Sequence, residues 1–377
     1  MFRHVYIHVP YCVSKCPYCD FFSVDDNRGI ESFVDALGVE LAISAKVHGP
    51  LRDVETVYIG GGTPSHLGVE EIEHLGQILQ DHVQRSPDCE WTVEVNPESA
   101  TREKLDLFLG MGVNRFSVGV QSLRKRELGF LGRAHDPGMA IRAVGLVADS
   151  SARSWSLDIM FGFAGQTLDS LRTTFRETLA FDPPHVSAYA LMIEPGSRFA
   201  EKPDREWSAP PDEVADQYRF LREALRAAGI EQYEVSNYAH PGHRSRHNLA
   251  YWGRVPYAGF GPSAHSFDGQ ARWWNVRSID RYLEATSEGR APIDDREVLT
   301  AHEELEERIM LGLRLSDGIG PDIVRGDGWA RMTKIADLLA EEGLVRMDDD
   351  RICLVNDGWA VADAVIERLV SAAVTSP

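Results

Sequence analysis

Tyr6-Ile7-His8-Val9-Pro10-Tyr11-Cys12-Val13-Ser14-Lys15-Cys16-Pro17-Tyr18-Cys19 is the stretch around which the 377-residue chain is organised. Three of its five cysteines fall here, spaced Cys-x3-Cys-x2-Cys, while Cys89 and Cys353 lie far away. The β-branched and aromatic run Val5–Val9 reads as a strand, and Pro10 and Pro17 keep the cysteine segment from becoming a regular helix. A loop bent in this way can aim three thiolates at one object. A structural zinc asks for four protein ligands, usually in paired Cys-x2-Cys knuckles, and is a poor fit. Three soft sulfur ligands suit a four-iron cluster with one iron left open to an outside ligand.

The rest of the first half repeats a beat of strand and helix. Strands are expected at 54–59, 91–95, 115–118, 155–160 and 186–192. Helices are expected at 30–45, 70–83, 101–109, 137–149 and 170–180 between them; Phe33, Leu37, Leu41 and Ala45 form one apolar face of the first. This alternation predicts parallel β/α units, closed or nearly closed into a barrel with its chemistry at the carboxyl ends of the strands. A further helix over 211–228 and a segment at 233–238 continue the pattern, followed by irregular Gly- and Trp-rich sequence to about Trp274. Composition shifts near Ile293, which divides the chain into an α/β barrel domain, 1–292, and a small helical, winged-helix-like domain, 293–377. The second holds helices at 303–313, 330–342 and 359–370 and a hairpin over 344–354 turning at Asp348, Asp349 and Asp350.

Forty-three per cent hydrophobic and 26% charged residues describe an ordinary globular protein. The formal net charge of −19, from 58 acids against 39 bases, repels a phosphate backbone and argues against nucleic acid as a partner. No run is long and apolar enough to span a bilayer and the first residues are not a signal peptide, so a cytoplasmic protein is expected. Clustered cysteines fit a reducing compartment.

Several strand ends carry chemistry of their own. Gly60-Gly61-Gly62-Thr63-Pro64 closes the second strand, where glycines let a backbone come close to a ligand. Glu94 ends the third strand before Asn96-Pro97, Gln121 ends the fourth, and Arg133 follows in the next loop. Asp158 sits inside an apolar strand, where a lone acid is costly unless it meets a partner; Arg133 is one expected partner. Later, His240, His243 and His247 run up to Tyr251-Trp252. A metal site, an axial haem histidine with aromatic walls, or a surface loop could each produce that pattern.

The cysteine spacing, with Tyr18 before the last cysteine, resembles the radical S-adenosylmethionine (radical SAM) superfamily. That resemblance implies a [4Fe-4S] cluster on Cys12, Cys16 and Cys19, with SAM chelated to the open iron and its sulfonium bond cleaved by one electron. Across essentially the whole chain, the segments resemble the oxygen-independent coproporphyrinogen oxidase-like family, the HemN/HemW branch. The resemblance places Tyr6, Gly61, Gly62, Thr63, Glu94, Gln121, Arg133 and Asp158 against SAM, with Tyr18 packed beside the cofactor and Met192 and His265 as two later contacts. His247-Asn248-x-x-Tyr251-Trp252 is similar to the stretch implicated in haem binding in the haem-chaperone members. Phe21 stands where the oxidases carry a further cysteine, and only eleven residues precede Cys12. Both features favour a haem chaperone over an oxidase that decarboxylates coproporphyrinogen III. Haem or a porphyrinogen, acceptor haemoproteins and a low-potential electron donor are the partners so implied.

Overall fold

A computed structural model describes residues 2–374. The chain divides into two compact units: one runs to Val214 and resumes over Pro256–Glu297, the other takes Ala215–Val255 and everything described from Val298 onward. The C-terminal break lies five residues beyond the composition shift at Ile293, and the segment carrying His247 groups with the C-terminal unit.

The first unit is built on a parallel sheet in which β1 (His4–Val9), β2 (Leu51–Gly61), β3 (Val83–Val95), β4 (Arg115–Gln121), β5 (Ser154–Phe161) and β6 (His185–Ala190) stand in sequence order. Each neighbouring pair among them is parallel. Helices α1 (Ile30–His48), α2 (Val69–His82), α3 (Arg102–Met111), α4 (Lys125–Phe130), α5 (Pro137–Ala148) and α6 (Leu168–Leu179) form the crossovers. Burial on both faces explains the near-continuous apolar strands: β4 is buried from Arg115 through Val120. Phe33, Leu37 and Leu41 are buried as the stripe of α1. Thr101, Asp136 and Thr167 cap α3, α5 and α6 by accepting from the backbone N–H three residues on.

On its other edge β1 pairs in parallel with Tyr257–Phe260, followed by antiparallel strands His265–Phe267 and Ala271–Asn275 and the edge strand Ile293–Val298. Part of the stretch expected to be irregular is therefore sheet. The hydrogen-bonded ladder stays open among the described residues, so this is a partial barrel. Several boundaries also move: β3 begins at Val83 where 91 was expected, and β4 runs on to Gln121. Strand β2 runs through Gly60 and Gly61, and β6 stops at Ala190, leaving Met192 outside it.

Glu40 of α1 ties the added strands to the core. It is fully buried, and its carboxylate accepts from Gly261 N (2.8 Å), Asn275 Nδ2 (2.6 Å) and Tyr282 Oη (2.6 Å). Gly261 allows that approach, with φ of 97° and a hypothetical Cβ 2.4 Å from the His8 carbonyl oxygen. Burial raises the Glu40 carboxyl to about 7. Unfolded, it titrates near about 4.3. The folded protein therefore binds more protons between those values, and this stabilisation, full at low pH, is lost as pH rises to about 7. The stability difference between the wild type and Glu40→Gln should accordingly shift against the wild type from about pH 5 to about pH 7.5. Urea unfolding at the two pH values checks this; parallel curves would refute it.

In the second unit, helices Ala301–Gly312 and Asp327–Glu341 pack on Ala362–Val374, beside the hairpin Val345–Asp348/Arg351–Leu354. Asp349 and Asp350 take the left-handed conformations of its turn, with φ of 46° and 60°. The expected continuation at 233–238 takes the form of a small antiparallel pair, Glu231–Gln232 with Asn237–Ala239.

Candidate functional site

The cysteine loop leaves β1 at its carboxyl end and is braced on several sides. Cys12 N donates to Val24 O (2.9 Å), Val24 N to Pro10 O (2.8 Å) and Phe199 N to Pro17 O (2.9 Å). From the end of β2, Gly62 N donates to Val9 O (2.8 Å) and Thr63 N to Tyr11 O (2.7 Å). All three cysteines are partly exposed free thiols. Burial, and the neighbouring sulfurs, push the Cys12 thiol up and the Cys19 thiol to about 11. Ionising Cys12 and Cys19 here therefore asks for positive charge nearby. Among the described residues no three His, Cys, Asp or Glu side chains converge as they would on one metal ion.

The glycines of the second strand end serve the chain itself. A Cβ on Gly61, whose φ is 104°, would lie 2.4 Å from the His8 ring; one on Gly62 would lie 2.7 Å from the carbonyl oxygens of Val9 and Tyr11. The close approach expected of a ligand is made by β1 and the cysteine loop. His8 is fixed in turn. Its Nε2 donates to Phe22 O (2.7 Å), and its Nδ1 lies 3.0 Å from Tyr6 Oη. Burial lowers its pKa to about 4, so the ring is neutral and accepts from the Tyr6 phenol.

Glu94 accepts from Tyr58 Oη (2.8 Å) and Gly61 N (3.1 Å), and burial, with Asp158 nearby, raises its carboxyl to about 7. Asp158 is raised to about 6 by burial. Its hydrogen bonds come from Ser117 Oγ (3.1 and 3.0 Å) and Ser187, while Arg133, the partner expected from sequence, acts on it through charge alone, as Arg115 does. The reason is that Arg133 is used elsewhere. Its Nη1 points at Cys16 Sγ (3.6 Å), its Nη2 donates to Asn96 Oδ1 (2.6 Å) and Gly119 O (3.0 Å), and it hydrogen-bonds Tyr18. Asn96 Nδ2 continues to Thr63 Oγ1 (2.7 Å), whose hydroxyl donates to Cys12 Sγ (3.4 Å). Gln121, in a left-handed conformation with φ of 63°, brings its amide beside Gly119.

The structure thus gathers Cys12, Cys16, Tyr18, Thr63 and Arg133 into one connected set, with Gly61 and Glu94 bonded alongside. Two expected residues stand apart. Met192 is 66% exposed beyond the end of β6, and His265 is exposed and stacked on Trp274 at 5.6 Å. Asn96, Tyr58, Ser117 and His8 were not singled out by sequence. The one available signal was a polar residue, Asn96, wedged between a strand end and Pro97.

His247 belongs to the second unit. It lies in the short helix Arg246–Trp252, capped by Ser245, and is 1% exposed. Its Nε2 is 3.0 Å from Tyr251 Oη, with the two rings edge to face at 4.8 Å.

A partial parallel barrel with this cysteine loop at the mouth of its first strand defines a radical SAM protein, and residues 6–178 match the family model of the radical SAM superfamily. Heme chaperone HemW of Mycobacterium tuberculosis is 37% identical over 373 residues, covering 97% of this chain and 94% of that protein. Heme chaperone HemW of Bacillus subtilis is 32% identical over 373 residues, with 96% and 98% covered. In fold, the chain is similar to the solved coproporphyrinogen III oxidase HemN of Escherichia coli, with a TM-score of 0.83 at 21% identity over 97% of this chain and 89% of that one. The chain belongs to the HemW family of radical SAM proteins.

The donor set fits the cofactors this family implies. Three free cysteines on one braced loop supply the thiolates, and two buried polar atoms beside them, Gln121 Oε1 and Arg133 Nε, have no hydrogen-bond partner. Such atoms are costly to bury unless a ligand meets them. No helix among the described residues is long and apolar enough to cross a membrane.

Proposed function

We propose that the protein is a haem chaperone that carries a [4Fe-4S] cluster and SAM in its barrel, binds haem as cargo and passes it to acceptor haemoproteins in the cytoplasm. The observation that carries this reading is identity of 37% across 97% of the chain to a protein named as a haem chaperone. Cys12, Cys16 and Cys19 would hold the cluster. When bound, it supplies an open iron for SAM and a low-potential electron, received from an external donor.

The remaining residues bind and orient. Glu94 and Asp158 are poised to ionise against a cationic or hydroxyl-bearing ligand, because burial leaves them easily protonated without one. Arg133 offers its free Nε to an anionic group, Gln121 its free carbonyl oxygen to a donor, and the backbone of Gly61, Gly62 and Thr63 lines the same strand end. Tyr6 and Tyr18 add aromatic walls, with Met192 and His265 as outer contacts.

For haem, His247 is the proposed ligand-bearing residue. To reach iron through Nε2, the imidazole must give up Tyr251 Oη. His247→Ala should therefore weaken haem binding at least about tenfold, roughly the loss of one good polar contact, whereas Tyr251→Phe retains it. A haem titration followed in the Soret region of anaerobically reconstituted protein tests this, and unchanged affinity in His247→Ala would contradict the assignment.

The likeness in fold to HemN favours a second reading, an oxygen-independent coproporphyrinogen III oxidase. Incubation of the reduced, loaded protein with coproporphyrinogen III and SAM separates the two. Unchanged substrate supports the chaperone, and protoporphyrinogen IX rejects it.

A further inference from the structure

The sulfurs of Cys12 and Cys16 are linked by a chain of hydrogen bonds whose direction is fixed from one end. A guanidinium can only donate. Arg133 Nη2, 2.6 Å from the Asn96 side chain, therefore faces the amide oxygen, which turns the amide nitrogen toward Thr63 Oγ1 at 2.7 Å. Thr63 must accept there, so its own proton is free to point away, and Cys12 Sγ at 3.4 Å takes it. A threonine hydroxyl is ordinarily a free rotor; here its orientation is set two residues upstream in the network. Arg133 meanwhile presents Nη1 to Cys16 Sγ at 3.6 Å. Cys19 receives the backbone N–H of Phe21.

Asn96 is itself held on both sides. Its N–H donates to Ser65 Oγ (3.1 Å), its carbonyl accepts from Ser99 N (3.0 Å), and Lys104 Nζ secures Ser65 O (2.8 Å). With Pro97 following, the side chain has little freedom to swing. It sits at the junction of β3 with the cysteine loop and the strand end of β2, and contacts both Thr63, which donates to Cys12, and Arg133, which donates to Cys16.

We propose that Asn96 is a positioning residue that aims one donor at each of two cluster sulfurs, Thr63 at Cys12 and Arg133 at Cys16, and so sets how easily the cluster is reduced. The inference rests on the reading of Cys12, Cys16 and Cys19 as cluster ligands. Hydrogen bonds to the sulfurs of an iron–sulfur centre stabilise the more negative, reduced form and raise its potential. An aspartate at position 96 would accept from both Arg133 and Thr63. It would draw the hydroxyl proton off Cys12 and add a negative charge; both changes disfavour reduction.

The test is a potentiometric titration of anaerobically reconstituted wild type, Asn96→Asp and the near-isosteric Thr63→Val, followed by electron paramagnetic resonance with iron and sulfide analysed in parallel. Both variants should take up iron at the wild-type level. At the wild-type midpoint the ratio of reduced to oxidised cluster should fall at least about tenfold in Asn96→Asp, or about 59 mV for one electron, and by less in Thr63→Val. Wild-type potentials in fully loaded variants would overturn the inference. So would loss of iron from Thr63→Val, since bonds that only tune a potential are dispensable for assembly. Failure of the wild type itself to take up iron would instead overturn the cluster assignment beneath it.

Discussion

Cys16→Ala is expected to lose nearly all of the bound iron and, with it, the visible absorbance of the cluster and the capacity to bind SAM. Two thiolates cannot hold a four-iron centre that already leaves one iron without a protein ligand. No other cysteine can step in within the first unit: Cys89 lies buried within β3, with its thiol turned to the Glu90 carbonyl. The loss should be local. The loop is braced by backbone hydrogen bonds from Val24, Thr63 and Phe199 that do not involve the Cys16 side chain, so circular dichroism should show a folded protein. Iron and sulfide analysis after reconstitution checks the prediction, and an intact cluster in this variant would contradict the ligand assignment.

Gly61→Ala should be strongly destabilising. The new Cβ would meet the His8 ring at 2.4 Å, in a backbone with φ of 104°. A left-handed conformation costs an L-residue about 1–2 kcal/mol, and overpacking a filled site adds about 1–3 kcal/mol. Nor can His8 retreat, because Phe22 O and Tyr6 Oη hold its two nitrogens. The sum, about 2–5 kcal/mol, corresponds to a fall of roughly 5–15 °C in the unfolding midpoint for a domain of this size. Gly110→Ala is the control. Nothing lies within 4 Å of its hypothetical Cβ near the end of α3, and alanine is the better helix former. Equal melting curves for the two variants would show that the close packing of β1 on β2 is not needed.

The alternation of strand and helix could be read from the chain because a parallel sheet covered on both faces leaves unbroken apolar runs, and each crossover helix leaves an apolar stripe. The cysteine loop was legible for a different reason: thiolate spacing is a chemical constraint that survives without any neighbour in view. What escaped was set by contacts distant in sequence. The strand Tyr257–Phe260 was hidden because Gly259 and Gly261, which read as loop, are there to let the His265 and His8 carbonyls approach. In sequence Asn96 is only the residue between a strand end and Pro97; the fold brings Arg133 and Thr63 to its side-chain oxygen and nitrogen. The same holds for Arg133, whose charge does act on Asp158 but whose donors are taken by Cys16, Asn96, Gly119 and Tyr18. The histidine-rich stretch left a metal site, an axial haem histidine and a surface loop as alternatives; the burial of His247 and the Tyr251 phenol against its Nε2 are set by the fold.

The most direct measurement is Mössbauer spectroscopy of the wild-type protein reconstituted with enriched iron, recorded with and without SAM. The three-cysteine loop predicts four irons per chain, one of them distinct from the other three and altered by SAM alone. A two-iron or mononuclear centre, or four equivalent irons indifferent to SAM, would contradict it.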